Sequence, residues 1–176
     1  VFGAHPDDTE LGCGGTIIKH IKSGKKVGVV DITEGQLGSR GSVAERYKEA
    51  AKAALIQGLS VRENLGFEDG WFRNDKAALD KVIEMIRKYK PEIVLANAIS
   101  DRHPDHGRAA SLIADACFYS GLVKIESYYN DIKQEVWRPK ALYHYIQDYH
   151  IEPDFVIDVS DHWDQKIEAI LAFSSQ

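Results

Sequence analysis

Two short segments of this sequence concentrate the residue types that bind metals and transfer protons. The first is His5–Glu10 (HPDDTE), and the second is Asp101–His106 (DRHPDH). Together they contain three imidazoles and up to five carboxylates. That many carboxylates in a small volume repel one another unless a cation neutralises them. If the fold brings the two segments together, we therefore expect a divalent cation between them.

Histidine and aspartate in this combination suit a catalytic metal site. Two histidines and one aspartate bind a divalent ion and leave one coordination position open for water. Such an ion lowers the pKa of its water towards about 7 and polarises a substrate carbonyl. A neighbouring carboxylate then accepts the water proton, and a cationic histidine stabilises the oxyanion and later protonates the leaving amine. These parts predict metal-assisted hydrolysis of an amide.

The surrounding elements predict how the two segments meet. Each segment follows an apolar run of strand length, Val1–Ala4 and Ile93–Ala98. Strands and helices alternate, which predicts an α/β, Rossmann-like three-layer domain with a mostly parallel sheet. In the common doubly wound order the first and fourth strands lie side by side where the winding reverses, and ligands bind there, beyond the carboxyl ends of the strands. The other predicted strands are Lys26–Thr33, Val61–Leu65, Ala141–Ile146 and Phe155–Val159, and the predicted helices are Glu10–Ser23, Val43–Gln57, Lys76–Tyr89, Asp105–Ser120 and one after Ser160.

Composition narrows the classes of function. A chain of 176 residues fits one well-filled domain, 1–176, and its opening in mid-strand at Val1 suggests that both ends are trimmed. The formal net charge is −5 and no basic face is visible, which argues against nucleic acid or an anionic membrane as partner. No apolar run approaches the roughly 20 residues that span a bilayer. Two cysteines, Cys13 and Cys117, predict a reduced, cytoplasmic protein.

The two segments also resemble a known family. They match the paired signatures AHPDDxE and HxDH of the LmbE-like, or PIG-L, de-N-acetylases, at Ala4–Glu10 and His103–His106. Both motifs occur in the right order at this spacing, and the resemblance covers the whole visible chain. Two further segments resemble one branch of this family, which deacetylates N-acetylglucosaminyl malate in bacillithiol biosynthesis. They are Thr33–Gly41 with Arg46, and Glu63–Gly66 with Asp69 and Gly70.

The resemblance implies which residues hold the metal. It implies one zinc ion per chain with His5, Asp8 and His106 as ligands, although iron, cobalt or manganese suit the same ligand types. An alternative stays open, because His103 and His106 are three residues apart and can share a helical face. In that alternative His103 is the ligand in place of His106.

The resemblance also implies catalytic and substrate-binding roles. Asp7 takes the place of the general base, and His103 corresponds to the histidine that stabilises the tetrahedral intermediate, with Asp105 setting its orientation and charge. Relatives in this branch suggest a homo-oligomer acting on a small amidosugar. Glutamine at position 36 is a departure, since relatives often carry glutamate there. The residues expected to contact substrate are Arg46, Gln36 and Asp69.

Several other interpretations stay open at this point. The substrate could be another amidosugar, such as an inositol-linked or chitobiose-like one. Asp and His clusters also serve phosphoesterases, which often use two metal ions about 3.5–4 Å apart. A non-catalytic binding module is the third class, and Asp8 or Asp105 could serve only as helix caps. The segment Gly12–Gly15 does not have dinucleotide-binding spacing, so we expect it to allow close packing of the first helix.

Overall fold

The computed structural model describes residues 1–176 and confirms the α/β fold with mostly parallel strand pairing. Helices α2 and α3 span the predicted ranges, and the other bounded elements agree within about two residues at each end, except for the predicted strand at Phe155–Val159. The helices are α1 (Asp8–Lys22), α2 (Val43–Gln57), α3 (Lys76–Tyr89), α4 (Pro104–Tyr119) and α5 (Trp163–Leu171), with a 3-10 turn at Ser160–His162. The strands are β1 (Phe2–Gly3), β2 (Gly28–Thr33), β3 (Val61–Phe67), β4 (Ile93–Ala96), β5 (Tyr128–Tyr129), β6 (Ile132–Lys133) and β7 (Ala141–His144).

The carboxyl ends of β1 and β4 meet, as the sequence predicted. Strands β1, β2 and β3 form one parallel sheet in that order, and β4 pairs in parallel with β7. Side chains connect the two sheets: the backbone N–H of Ala4 donates to Oδ1 of Asn97 at 2.9 Å. The hydroxyl of Tyr145 donates to the carbonyl oxygen of Phe2 at 2.9 Å. The segments that follow β1 and β4 therefore face the same crevice.

Helices cover both faces of the central strands. Val30 and Ile32 of β2 belong to the main core, which also contains side chains from α3 and α4. Val29 points to the other face, where it packs with Cys13 and Ile17 of α1. This alternation along β2 is the two-residue period of a strand that is covered on both sides. The three layers predicted from sequence are thus helix, sheet and helix.

The glycines of α1 allow the close packing that the sequence predicted. A Cβ atom at Gly12 would lie 2.3 Å from a ring carbon of Tyr145. At Gly15 it would lie 2.8 Å from the side chain of Val159. Both cysteines, Cys13 and Cys117, are buried and unbridged. None of the helices combines the length and apolarity that crossing a bilayer demands.

The prediction of a strand at Phe155–Val159 is wrong. The segment is rich in apolar and β-branched residues, but no strand pairs with it in the structure. The side chain of Val156 is exposed to 81% and that of Phe155 to 55%. Such a composition favours a strand but does not supply the neighbouring backbone that a ladder needs.

Candidate functional site

The turn between β1 and α1 positions the first half of the site. Asp7 has a left-handed backbone (φ 112°), a conformation that costs a non-glycine residue about 1–3 kcal/mol and often marks a functional site. Its side chain makes no capping hydrogen bond to α1. The Asp7 carboxylate is therefore available to the crevice.

Asp8 connects the two halves of the site. Its Oδ1 lies 3.1 Å from Nε2 of His106 and accepts a hydrogen bond from Gln147 Nε2 at 3.0 Å. Its Oδ2 accepts from the backbone N–H of His5 at 3.0 Å and from Asn97 Nδ2 at 2.9 Å. Burial opposes ionisation, but the hydrogen bonds from the two histidines outweigh it and hold the pKa of Asp8 far below its usual range. Asp8 therefore serves the site as a carboxylate and does not cap α1.

His5 lies among three carboxylates. Its Nε2 is 3.0 Å from Asp69 Oδ1 and 3.3 Å from Asp105 Oδ2, and its Nδ1 is 3.6 Å from Asp8 Oδ2. Burial alone would lower the pKa of His5, but the hydrogen bonds to these carboxylates raise it to about 11. The cluster thus binds a positive charge strongly at this point.

Three imidazoles converge opposite Asp8. The ring of His103 stacks on His106 at a centroid distance of 5.1 Å and meets His5 edge-on at 4.6 Å. One ring nitrogen from each lies within 4.8 Å of the others, and His5, Asp69 and Asp105 form a second group with the same property. Asp8 belongs to neither group, although its carboxylate contacts both His5 and His106.

These residues fit a divalent cation. Nε2 of His106 faces Asp8 Oδ1 at 3.1 Å, while its Nδ1 lies 3.1 Å from Asp101 Oδ1, a carboxylate that can orient the ring. Imidazole nitrogens together with carboxylate oxygens are the donor set that zinc and similar metals prefer. Because both convergent groups share His5, they favour a single cation. His5, Asp8 and His106 stay the predicted ligands, and the hydrogen bonds from Asn97 and Gln147 would orient Asp8.

Arg46 contacts the candidate base. This buried arginine donates from Nη1 to the carbonyl of Pro6 at 2.8 Å and to Asp7 Oδ2 at 3.2 Å. Burial and the negative charge of Asp8 raise the pKa of Asp7 to about 7, although Arg46 partly offsets them. A carboxylate that titrates near neutrality can accept and return a proton, which is the property a general base needs.

Asp105 acts on His103 through its backbone. Its N–H donates to Nδ1 of His103 at 3.3 Å, so His103 caps α4 and Asp105 does not. The Asp105 carboxylate accepts instead from the backbone N–H of Gly70 at 2.8 Å, pairs with Arg108 and contacts His5. Asp105 thus orients His103, as predicted, but through its backbone N–H. Its carboxylate contacts and positions His5 instead.

The three residues expected to contact substrate lie at different depths. Asp69 is buried and joins His5 to the loop before α2, because its Oδ2 accepts from the backbone N–H of Leu37 at 2.8 Å. Gln36 is exposed at the rim, where its Nε2 donates to the carbonyl of Phe67 at 3.2 Å. Arg46 has its Nη groups occupied by protein acceptors, so its contact with substrate stays a prediction.

Asn97 and Gln147, the two amides that hold Asp8, were not predicted from the sequence. Asn97 Nδ2 also donates to Oε1 of Gln147 at 2.9 Å, so the pair forms a small network. Asn97 is a fully buried polar residue directly after β4, and Gln147 follows β7 by three residues. The carboxyl-end rule for parallel strands points to Asn97, which directly follows β4, but it does not single out Gln147.

Comparison with known proteins places this site in a family. A sequence model described as "PIG-L: GlcNAc-PI de-N-acetylase" matches residues 1–117, which is more than half of the chain and includes both histidine–aspartate segments. The chain belongs to the PIG-L family. Its match to that family covers every element from β1 through most of α4.

Individual proteins of known sequence or structure match nearly the whole chain. Diacetylchitobiose deacetylase of Thermococcus kodakarensis is 29% identical over 182 residues, 98% of this chain and 67% of that protein. 4-Oxalmesaconate hydratase of Pseudomonas putida is 29% identical over 191 residues, 100% of this chain and 72% of that protein. The solved structure of conserved protein TT1542 from Thermus thermophilus has a TM-score of 0.93 at 38% identity, covering 99% of this chain and 77% of that chain. N,N'-Diacetylchitobiose deacetylase from Pyrococcus horikoshii has a TM-score of 0.87 at 27% identity, with coverages of 99% and 68%.

Proposed function

We propose that this protein is a zinc-dependent hydrolase that removes the acetyl group from an N-acetylglucosamine derivative, with N-acetylglucosaminyl malate as the expected substrate. The observation that carries the proposal is geometric: three imidazoles and the Asp8 carboxylate converge in one crevice, with the Asp7 carboxylate held beside them by Arg46. The match to the PIG-L family and the likeness to two diacetylchitobiose deacetylases support amide hydrolysis. A cytoplasmic location and a homo-oligomer belong to the same proposal.

Asp7 is the proposed proton carrier. A divalent cation held by His5, Asp8 and His106 would polarise the acetamido carbonyl and acidify water at the site. Asp7 accepts the proton of the water that attacks the carbonyl carbon, because its carboxylate lies beside the proposed ligands and makes no capping bond to α1. When the carbon–nitrogen bond breaks, Asp7 returns that proton to the leaving amine, which yields acetate and the free amino sugar.

His103 is the proposed donor to the developing oxyanion. Its Nδ1 accepts from the backbone N–H of Asp105, so the proton of the neutral ring lies on Nε2. Burial lowers the pKa of His103. We therefore propose a neutral Nε2–H donor here, where the sequence had suggested a cationic histidine. Donors fixed in advance of the reaction stabilise an oxyanion at little reorganisation cost.

Metal removal should abolish the activity reversibly. We expect acetate release from N-acetylglucosaminyl malate to stop after chelation and to return when one equivalent of zinc per chain is restored, because the carbonyl then regains its electrophilic partner. N,N'-Diacetylchitobiose and N-acetylglucosamine are the comparison substrates in the same assay. Fastest release from the malate conjugate supports that branch, whereas preference for the disaccharide supports the chitobiose alternative. Two tightly bound metal equivalents would instead favour a phosphoesterase.

A hydratase is the second candidate, because a relative of that activity matches the entire chain. Hydration adds water across a double bond and releases no acetate. The two reactions are distinguished by incubating the protein with 4-oxalmesaconate and measuring how much of this compound is consumed. Turnover of 4-oxalmesaconate without acetate release from any acetylated sugar would replace the deacetylase proposal.

A further inference from the structure

The segment Ser174–Gln176, which follows α5, is fixed on α2 beside the site. Glu49 of α2 is 8% exposed and accepts three hydrogen bonds from this segment. The donors are the hydroxyl of Ser174 at 3.0 Å, the backbone N–H of Ser175 at 2.8 Å and the hydroxyl of Ser175 at 2.8 Å. These bonds outweigh the burial of Glu49 and lower its pKa, so the carboxylate remains a charged acceptor. The segment is therefore anchored by a charge-assisted clamp.

The clamp brings Gln176 to Arg46. Oε1 of Gln176 accepts from Nη2 of Arg46 at 2.6 Å, and Nε2 of Gln176 donates to the carbonyl of Arg40 at 3.2 Å. The opposite side of the same guanidinium, Nη1, contacts Pro6 and Asp7. Nε of Arg46 is buried and has no hydrogen-bond partner. Because a guanidinium is a rigid plane, bonds at Nη1 and Nη2 together fix its orientation.

Asp7 depends on that orientation. Nη1 of Arg46 is the hydrogen-bond donor that contacts the Asp7 carboxylate, and the Asp7 side chain makes no capping hydrogen bond to α1. We propose that Gln176 is a positioning residue that orients Arg46 and, through it, the base Asp7. This inference rests on the proposed hydrolysis and adds to it a segment that neither histidine–aspartate motif includes. It links residues that are 130 positions apart in the chain.

A matched pair of variants tests the role of the Gln176 acceptor. Gln176→Met keeps the length of the side chain and removes the acceptor, whereas Gln176→Glu retains an oxygen for Arg46. We expect Gln176→Met to lower kcat by up to about 100-fold, the effect of misplacing a reacting group by about 1 Å, with a smaller change in KM. Gln176→Glu should restore kcat to near the wild-type value. Metal content and Tm should be the same in both variants.

A second readout does not depend on turnover. The Nε–H signal of Arg46 in ¹⁵N-labelled protein, assigned with Arg46→Lys, should shift in Gln176→Met and stay near its wild-type position in Gln176→Glu. If wild-type protein releases no acetate from any acetylated sugar, the proposed hydrolysis fails while this signal still decides the positioning role. An unchanged Arg46 signal with unchanged kcat in Gln176→Met would overturn the inference. Equal losses of kcat in Gln176→Met and Gln176→Glu would also overturn it. So would a fall in KM without a change in kcat, because Gln176 would then only compete with substrate for Nη2 of Arg46.

Discussion

Replacement of Asp7 by asparagine should lower kcat by about 10²–10⁴-fold, the usual contribution of a general acid–base group. The amide keeps the shape of the carboxylate but cannot accept the proton of the attacking water. Asparagine also tolerates the left-handed backbone at this position, so the fold should be retained. The measurement is acetate release under saturating substrate, with bound zinc and Tm determined on the same sample.

The controls separate a base from a ligand. Asp80→Asn removes a half-exposed carboxylate of α3 that pairs with Lys76 and makes no contact with the site residues. This variant should leave kcat unchanged. Asp7→Asn should bind zinc as wild-type protein does, because Asp8 and the histidines remain. Wild-type activity in Asp7→Asn would exclude Asp7 as the base. Loss of zinc together with activity would instead assign Asp7 to the metal.

The sequence predicted the site because the relevant signals are local. Each histidine–aspartate segment follows an apolar strand, and parallel strands bring their carboxyl ends to one edge. The limits of α2 and α3 were predictable for the same reason: Ser42 and Glu45 form a capping box at the start of α2, and Asp75 caps α3. Short-range patterns thus define the elements and the crevice.

The remaining features depend on contacts between distant parts of the chain. Gln147 reaches Asp8 across 139 positions, and no local pattern distinguishes it from other polar residues after a strand. The pKa of Asp7 likewise depends on its burial and on Arg46, neither of which the motif encodes. The sequence could therefore name the candidate base but not the environment that suits it to the task. The wrong strand at Phe155–Val159 has the same origin, because pairing requires a partner that the segment itself does not specify.

A buried ion cluster beneath the site provides a second test, on stability. Arg62 of β3 forms a two-pronged pair with Asp31 of β2, from Nε at 2.8 Å and from Nη2 at 3.0 Å. Its Nη1 donates to Glu10 of α1 at 2.7 Å. The three side chains are at most 8% exposed. Burial raises the pKa of Asp31 to about 6, even though the charge of Arg62 opposes the shift.

Replacement of Arg62 by methionine should lower the free energy of unfolding by about 3–5 kcal/mol near neutral pH, because two buried carboxylates lose their counter-charge. The loss should shrink on acidification. A carboxyl with a raised pKa binds its proton more tightly in the folded protein than in the unfolded chain, so its contribution falls as pH rises from about 4 through the folded pKa. Without Arg62 the pKa of Asp31 in the folded protein rises further, so this loss of stability continues to higher pH. Denaturant unfolding at pH 5.5 and pH 8 should therefore show the larger difference in unfolding free energy between Arg62→Met and wild type at pH 8. Arg62→Lys, which keeps the charge, should lose less, and Arg62→Met/Asp31→Asn should show a weaker pH dependence than Arg62→Met. A deficit that is equal at both pH values would mean that Arg62 stabilises the fold by packing and not by charge.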